Sequence, residues 1–388
     1  MPRKTLAAAQ PAPLLRQQRN YAKRRLVPLR RAKPSYSIPN AVGNAASNPS
    51  GNPNLLFGES WIPPLSFWEE YASAQPLPPD LTAQLLYDAA KHYCNLATNL
   101  NSAWKGELQR VHDIDPYTLH HAGIALLPMM QINESAKLGF HMLRTASSMG
   151  YAPSTISLIR MITQLSPEAY AKQRPLIGPV EAHLKQILIR NPLDSDALTV
   201  QGLLYLRDGD KTRALTVFDS ALSVSGMAGG ERVVRAPLSS NADPKSEDDV
   251  VYRAPRFTYE GVCHIKRGTI LLSLGRRDEA LAAFNIAALE LGLADGYTEV
   301  AKLLPRSDPQ RKTYLLKAAQ ADNWEAVELL MRDELEVAVD ESRDVGERMD
   351  ATSWAMEWAS MQPSKEKSRQ FQKEVMDLIK VSFDKAST

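Results

Sequence analysis

The chain has 388 residues, with 46 Lys and Arg against 44 Asp and Glu, a formal charge of +2, and two cysteines, Cys94 and Cys263. Two thiols 169 positions apart with no CxxC motif exclude a disulfide framework and a cysteine-based structural zinc site, and make reduced thiols the default. The longest apolar runs, such as Ile124 to Met130, fall far short of the roughly 20 residues that span a bilayer, so no transmembrane span is expected and the mature protein should be soluble or peripheral.

In chain order, the first 58 residues carry ten Lys and Arg and no Asp or Glu. A basic, acid-free segment rich in Ala, Gln and Ser has the composition of a mitochondrial transit peptide, drawn inward by a negative-inside potential. Arg19-Asn20-Tyr21-Ala22 is similar to the site at which matrix peptidases trim such leaders. The alternative is a basic nucleic-acid-binding arm or nuclear signal, built on Lys23-Arg24-Arg25 and Arg30-Arg31. Without the ten leader bases, 36 cations face 44 acids, a formal −8 over residues 59–388. An acidic body disfavours broad phosphate contact, so RNA binding is expected only through the N-terminal basic segment.

From Ser35 to Pro64 prolines and asparagines predict a loop, followed by N-terminal helices over 59–114 whose Trp61, Phe67, Trp68 and Tyr71 should pack inward. Helix N-caps are expected at Asp80, Asn133, Asp194 and Asp322, and at Ser166 and Asp308, each of the last two followed by a proline. No stretch alternates with period two long enough for a sheet. Residues 225–255 read as a flexible insertion, and 339–388 as one or two capping helices with Trp354 and Trp358 on one face. That pair is either an exposed partner site or the staple by which the last helix covers the array.

The strongest signal is internal. Gly202, Gly209, Ala214, Leu215, Phe218 and Ala221 recur 66 residues later as Gly268, Gly275, Ala280, Leu281, Phe284 and Ala287. Leu198, Gly202 and Tyr205 fall on one face of a first helix, and Ala214, Phe218 and Ala221 on one face of a second. Small residues allow close approach, Phe218 should wedge between this hairpin and the next, and Gly209 should close the first helix in a left-handed conformation. A lone hairpin cannot cover its apolar face, whereas stacked neighbours can.

With Ala197 to Tyr205 followed by Ala214, Phe218 and Ala221, the spacing resembles that of tetratricopeptide repeats, and Lys317 to Ala326 resembles the related Sel-like repeat. A looser copy runs from Ala136 to Ala152 behind a first helix from Pro116 to Leu127. The resemblance implies an all-α, right-handed α-α superhelix behind a disordered leader, with the repeat array over 115–338. It also implies a peptide groove lined by the first helices, at Asp196, Thr199, Leu203 and Arg207 and then Val262, Ile265, Lys266 and Thr269. Those residues lack the Lys, Asn and Arg set with which co-chaperone members clamp a terminal carboxylate, so a hydrophobic helix or extended segment suits the groove better.

Reaction centres are not evident. Adjacent His120 and His121 diverge by about 100° on a helix, which predicts surface roles and no metal. His264 stands at an apolar repeat position and should be partly buried and hydrogen-bonded. Gly226 to Gly230 lacks the strand and the Gly-Lys-Ser/Thr of a phosphate loop, and no nucleophile elbow occurs. The expectation is a non-enzymatic mitochondrial scaffold or assembly factor without cofactor, in the matrix or on the matrix face of the inner membrane. Protein segments would be its partners, with respiratory-complex assembly the first class to test, and the import machinery would read its leader. The alternative is a component or accessory factor of the mitochondrial ribosome and translation machinery.

Overall fold

A computed structural model describes residues 57–75, 77–97, 104–127, 133–225, 252–362 and 364–386. Residues 1–56, with the expected leader and the expected trimming site at Arg19 to Ala22, and residues 226–251 of the expected insertion lie outside the described residues.

Among the described residues the chain is all-α, with no strand. A 3-10 turn (Glu59–Trp61) leads into α1 (Leu65–Ala74), α2 (Ala83–Ala97), α3 (Trp104–His112), α4 (Pro116–Leu126), α5 (Asn133–Ser148), α6 (Ala152–Ile162), α7 (Pro167–Arg190), α8 (Ser195–Arg207) and α9 (Lys211–Ser225). Then follow α10 (Glu260–Ser273), α11 (Arg277–Asn285) with a π-helical turn (Ile286–Glu290), α12 (Ala294–Leu303), α13 (Pro309–Gln320), α14 (Trp324–Val339), α15 (Val345–Ser360) and α16 (Lys365–Ala386). Helices pack on their neighbours in sequence and on some second neighbours, such as α6 with α8 and α8 with α10. This is a helical-repeat architecture, in which each pair covers the apolar face of the one before it.

Side-chain caps fix where the helices start. The Asp115, Ser166, Asp194 and Asn323 side chains each accept an N–H three residues on, and Asp308 accepts that of Gln310. Two expected caps are displaced. Asp322 instead holds a positive φ of 61°, closing α13, while Asn323 caps α14. Asp80 accepts from the Tyr117 hydroxyl, and the Thr82 hydroxyl takes the Leu85 N–H at the start of α2. In both places the side chain one or two residues later has the better reach to the orphan donors of the first turn.

Four turns close alike. Gly150, Gly209, Gly275 and Asp322 all have positive φ, and in each case the next N–H returns to the carbonyl five residues back: Tyr151 to Ala146, Asp210 to Tyr205, Arg276 to Leu271 and Asn323 to Ala318. This is the Schellman arrangement, which satisfies carbonyls left open at a helix end. Asp322 adopts it without glycine, as Asn and Asp tolerate the left-handed region better than most residues.

Within each strong hairpin the second helix lies on the glycine of the first. A Cβ on Gly202 would sit 2.6 Å from the Phe218 ring, and one on Gly268 would sit 2.5 Å from the Phe284 ring. Phe218 therefore fills space inside its own hairpin, which corrects the expected wedge between hairpins. The next hairpin meets it through the backbone, where the Cys263 thiol points at the Phe218 carbonyl 3.6 Å away. The looser copy does the same with two glycines: a Cβ on Gly139 would be 2.7 Å from the Gly123 carbonyl oxygen.

The core has two parts. Trp68, Leu86, Tyr93, Leu108, Leu119 and Met142 belong to one that α1 to α5 enclose, and a larger one runs from Phe140 to Val375. They meet on α5, whose Leu138, Met142 and Ala146 face the first while Phe140 and Leu143 face the second. At the far end the Trp354 and Trp358 rings stack 6.2 Å apart, and Trp358 is buried in the larger core.

Replacing Gly202 or Gly268 by Ala should cost about 1–3 kcal/mol each, because the added methyl overlaps an aromatic ring in a close-packed interface. At Gly178, in α7, only the ring of the following Pro179 crowds an added methyl, so the same change should stay within about 1 kcal/mol of the parent, the helix-propensity gain being offset by that proline. Urea midpoints of the three variants check this; a Gly202→Ala protein as stable as the parent would show that the Phe218 contact does not set the helix spacing.

Candidate functional site

The residues expected to line a groove do not form one surface. On α8, Thr199 is fully buried and donates its hydroxyl to the Ser195 carbonyl, and Leu203 is buried in the main core. Asp196 accepts the backbone N–H groups of Thr258 and Tyr259, so it holds the entry to α10. The Arg207 guanidinium lies 3.1 Å from the centre of the Tyr170 ring of α7. No residue from Ser195 to Arg207 is fully exposed. The physical reason is composition: Leu198, Val200, Leu203, Leu204 and Leu206 make α8 apolar on every side, and such a helix is enclosed by its neighbours.

On α10 the outcome differs. Lys266 and Thr269 are exposed and Ile265 is half-buried, with the Thr269 hydroxyl turned back onto the Ile265 carbonyl, whereas Val262 packs on the core. Trp354 is half-buried and Trp358 buried, which fits the staple and removes Trp358 from any open surface. The repeat residues Tyr205, Gly209, Ala214, Ala221, Gly275, Ala280 and Ala287 stand in the hairpins where the spacing put them. Ala214, Ala221, Ala280 and Ala287 are buried.

The first-helix side does carry a cleft, one step toward the N-terminus. It has a volume of about 280 Å³ and is bounded by Tyr71 of α1 and Gln75 just after it, Ile124 and Leu127 at the end of α4, Ser157, Arg160 and Met161 of α6, and Gln164 just past its end. Tyr259, at the entry to α10, closes it, with the Arg160 guanidinium 4.8 Å from its ring centre. Apolar floor, carboxamides, a hydroxyl and one cation meet there. Only Tyr71 among these was marked by the sequence, and as a packing residue. The others come together because the end of α1, the end of α4, α6 and the entry to α10 border one cleft, a long-range approach without local signature.

No protein-family model and no curated protein matches this chain significantly. The assignment to a helical-repeat architecture accordingly stands on the packing of the helices and the recurring turns.

Polar knots between helices were also hidden from the sequence. Glu260 is fully buried at the start of α10, where Arg253 meets it with a two-pronged ion pair at 2.8 and 2.9 Å and Arg256 adds its backbone N–H and side chain. Burial works to raise its pKa, but His264, Arg253 and Arg256 outweigh it and hold the carboxyl well below the usual range. His264 is buried as expected, yet its ring stands 3.7 Å from Glu260, past hydrogen-bond length, and neither ring nitrogen has a hydrogen-bond partner. Arg253 also bonds Glu290, through its backbone to the carbonyl that ends the π-helical turn and through its side chain to the carboxylate. Tyr252 adds its hydroxyl to that of Tyr297, 2.8 Å away. Residues 252–255 are therefore held against α10 to α12, and Ser225 completes α9, so both ends of the segment expected to be flexible belong to the folded array.

Three histidines join helices. His120, expected at the surface, is half-buried with Nδ1 2.9 Å from the Ser154 hydroxyl of α6. The His141 Nδ1 lies 2.5 Å from the buried Tyr93 hydroxyl, and the His183 Nδ1 lies 3.1 Å from Ser147. Ser147 is itself buried against Thr155, so this Ser–His contact is a structural tie. Burial first, and then neighbouring His121 for one and Arg144 and Lys105 for the other, lower the pKa of His120 and of His141 to about 4.

Because the unfolded histidines titrate near 6.5, the unfolded chain binds more protons between about pH 4 and 6.5, and stability falls as pH drops through that window. A loss of about 1–3 kcal/mol is expected between pH 7.5 and pH 4.5, and His120→Asn should show a shallower slope. Thermal unfolding against pH reads this directly; identical slopes would remove His120 as a cause.

Proposed function

We propose that this chain is a non-catalytic mitochondrial scaffold or assembly factor of the tetratricopeptide and Sel-like class, and that a partner polypeptide occupies the cleft between α1, α4, α6 and the entry to α10. The observation that carries the reading is the cleft itself, lined by Ile124, Leu127 and Met161 beside Gln75, Ser157, Gln164 and Arg160 on the first-helix side of stacked pairs. Its volume of about 280 Å³ lies at or below the ~300–1,000 Å³ of pockets that enclose a drug-sized ligand. One or two side chains of an extended or helical segment suit that space, with backbone polar groups meeting the carboxamides.

The mitochondrial part of the proposal rests on the basic, acid-free leader, and the protein class on the repeated glycine and phenylalanine spacing. Arrays of this kind present binding surfaces, and fold alone names no partner. Respiratory-complex assembly is the first partner class to test.

The test is affinity purification from mitochondria of the parent chain and of Ser157→Arg, which fills the cleft from a half-buried position on α6. Recovery of the main protein partner should drop about tenfold or more with an unchanged melting temperature, the loss of roughly 1.4 kcal/mol or more that a blocked contact produces. Equal recovery would remove the cleft from the interface. RNase-sensitive recovery with ribosomal subunits would favour the translation reading over the scaffold.

A further inference from the structure

Away from the cleft, α3 and α5 bring two cations together with no acid between them. The Lys105 ammonium of α3 donates to the Ser148 hydroxyl of α5 at 2.8 Å, and that hydroxyl donates its own hydrogen bond to the Thr145 carbonyl. Arg144 precedes Ser148 by four residues and so occupies the same face of α5, one turn away. Lys105 and Arg144 are both half-buried, and among the described residues neither pairs with a carboxylate. The neighbouring segments 98–103 and 128–132 contain no Asp or Glu either.

We infer that Lys105 and Arg144, with Ser148 holding the Lys105 ammonium in place, form a binding site for a phosphate dianion, either free phosphate or a phosphate monoester. Half-buried cations of like sign without a counter-charge are unfavourable, and an anion between them offsets that cost. Burial and the Arg144 charge push the Lys105 pKa down, and burial does the same to Arg144. The guanidinium offers a planar fork and the ammonium a point charge, the pair of donors suited to phosphate oxygens. Two formal positive charges are matched by a dianion, where a carboxylate would neutralise one. The site is independent of the cleft and of the scaffold reading.

The experiment uses the full chain and the variants Lys105→Met and Arg144→Met, which keep most of the aliphatic stem and remove the charge. Melting temperatures are recorded in phosphate-free buffer, then with inorganic phosphate, with O-phosphoserine and with a single-stranded RNA, all at matched ionic strength. Phosphate or phosphoserine should raise the melting temperature of the parent, and each variant should lose about tenfold in apparent affinity. The stronger of these two ligands identifies the source. In phosphate-free buffer the variants should be at least as stable as the parent, because a repulsion has been removed.

Three outcomes overturn the site: no rise with either ligand, an equal rise in parent and variants, or stabilisation by RNA alone. Should Arg144→Met fail to fold, Lys105→Met with phosphate titration calorimetry gives the same decision.

Discussion

The array depends on how closely two helices approach within a hairpin, and that distance is set by a ring lying on a glycine. Phe218 on Gly202 and Phe284 on Gly268 fill the volume that a Cβ would occupy, and Gly123 and Gly139 achieve the same closeness backbone to backbone. Tight pairs leave each hairpin with a broad apolar outer face, and the next hairpin covers it. The Schellman turns at Gly209 and Gly275 then fix the angle at which each second helix leaves the first.

Much of this was legible in the residues. The six-residue agreement between the copies at Gly202 and Gly268 placed both hairpins, because small residues and an aromatic at helical spacing admit few other packings. Caps at Asp194, Ser166 and Asp308 were readable since a short polar side chain before an apolar run, or before proline, has one favourable use. The misplacements were local: at Asp322 and Asp80 two polar residues competed for one role, and propensity does not rank Asp against a following Asn or a nearby Thr.

The site was harder to read. Thr199, Leu203 and Arg207 were assigned to an open groove by analogy with a helix that keeps one face free, yet α8 carries leucines all round and is enclosed. The cleft that does exist draws on α1 and on Tyr259, nearly two hundred positions apart, and on Arg160 of α6 and Gln164 just beyond it, which look like ordinary surface residues. Long-range approach leaves no periodicity behind. Charge clusters are similar: Lys105 and Arg144 are unremarkable until α3 is laid against α5, and Glu260 reads as a surface acid until Arg253 and Arg256 close over it.

One further property follows from α5. Its two faces belong to different cores, Leu138, Met142 and Ala146 on one side and Phe140 and Leu143 on the other. It acts as a party wall, and neither compartment can be opened without stripping one side of a helix the other still needs. Melting that begins at the amino-terminal helices would thus propagate into the array, in contrast to the piecewise fraying that stacked repeats with separate end caps permit. A single cooperative transition is the natural behaviour of such a molecule, and amide protons of α5 should be among the last to exchange.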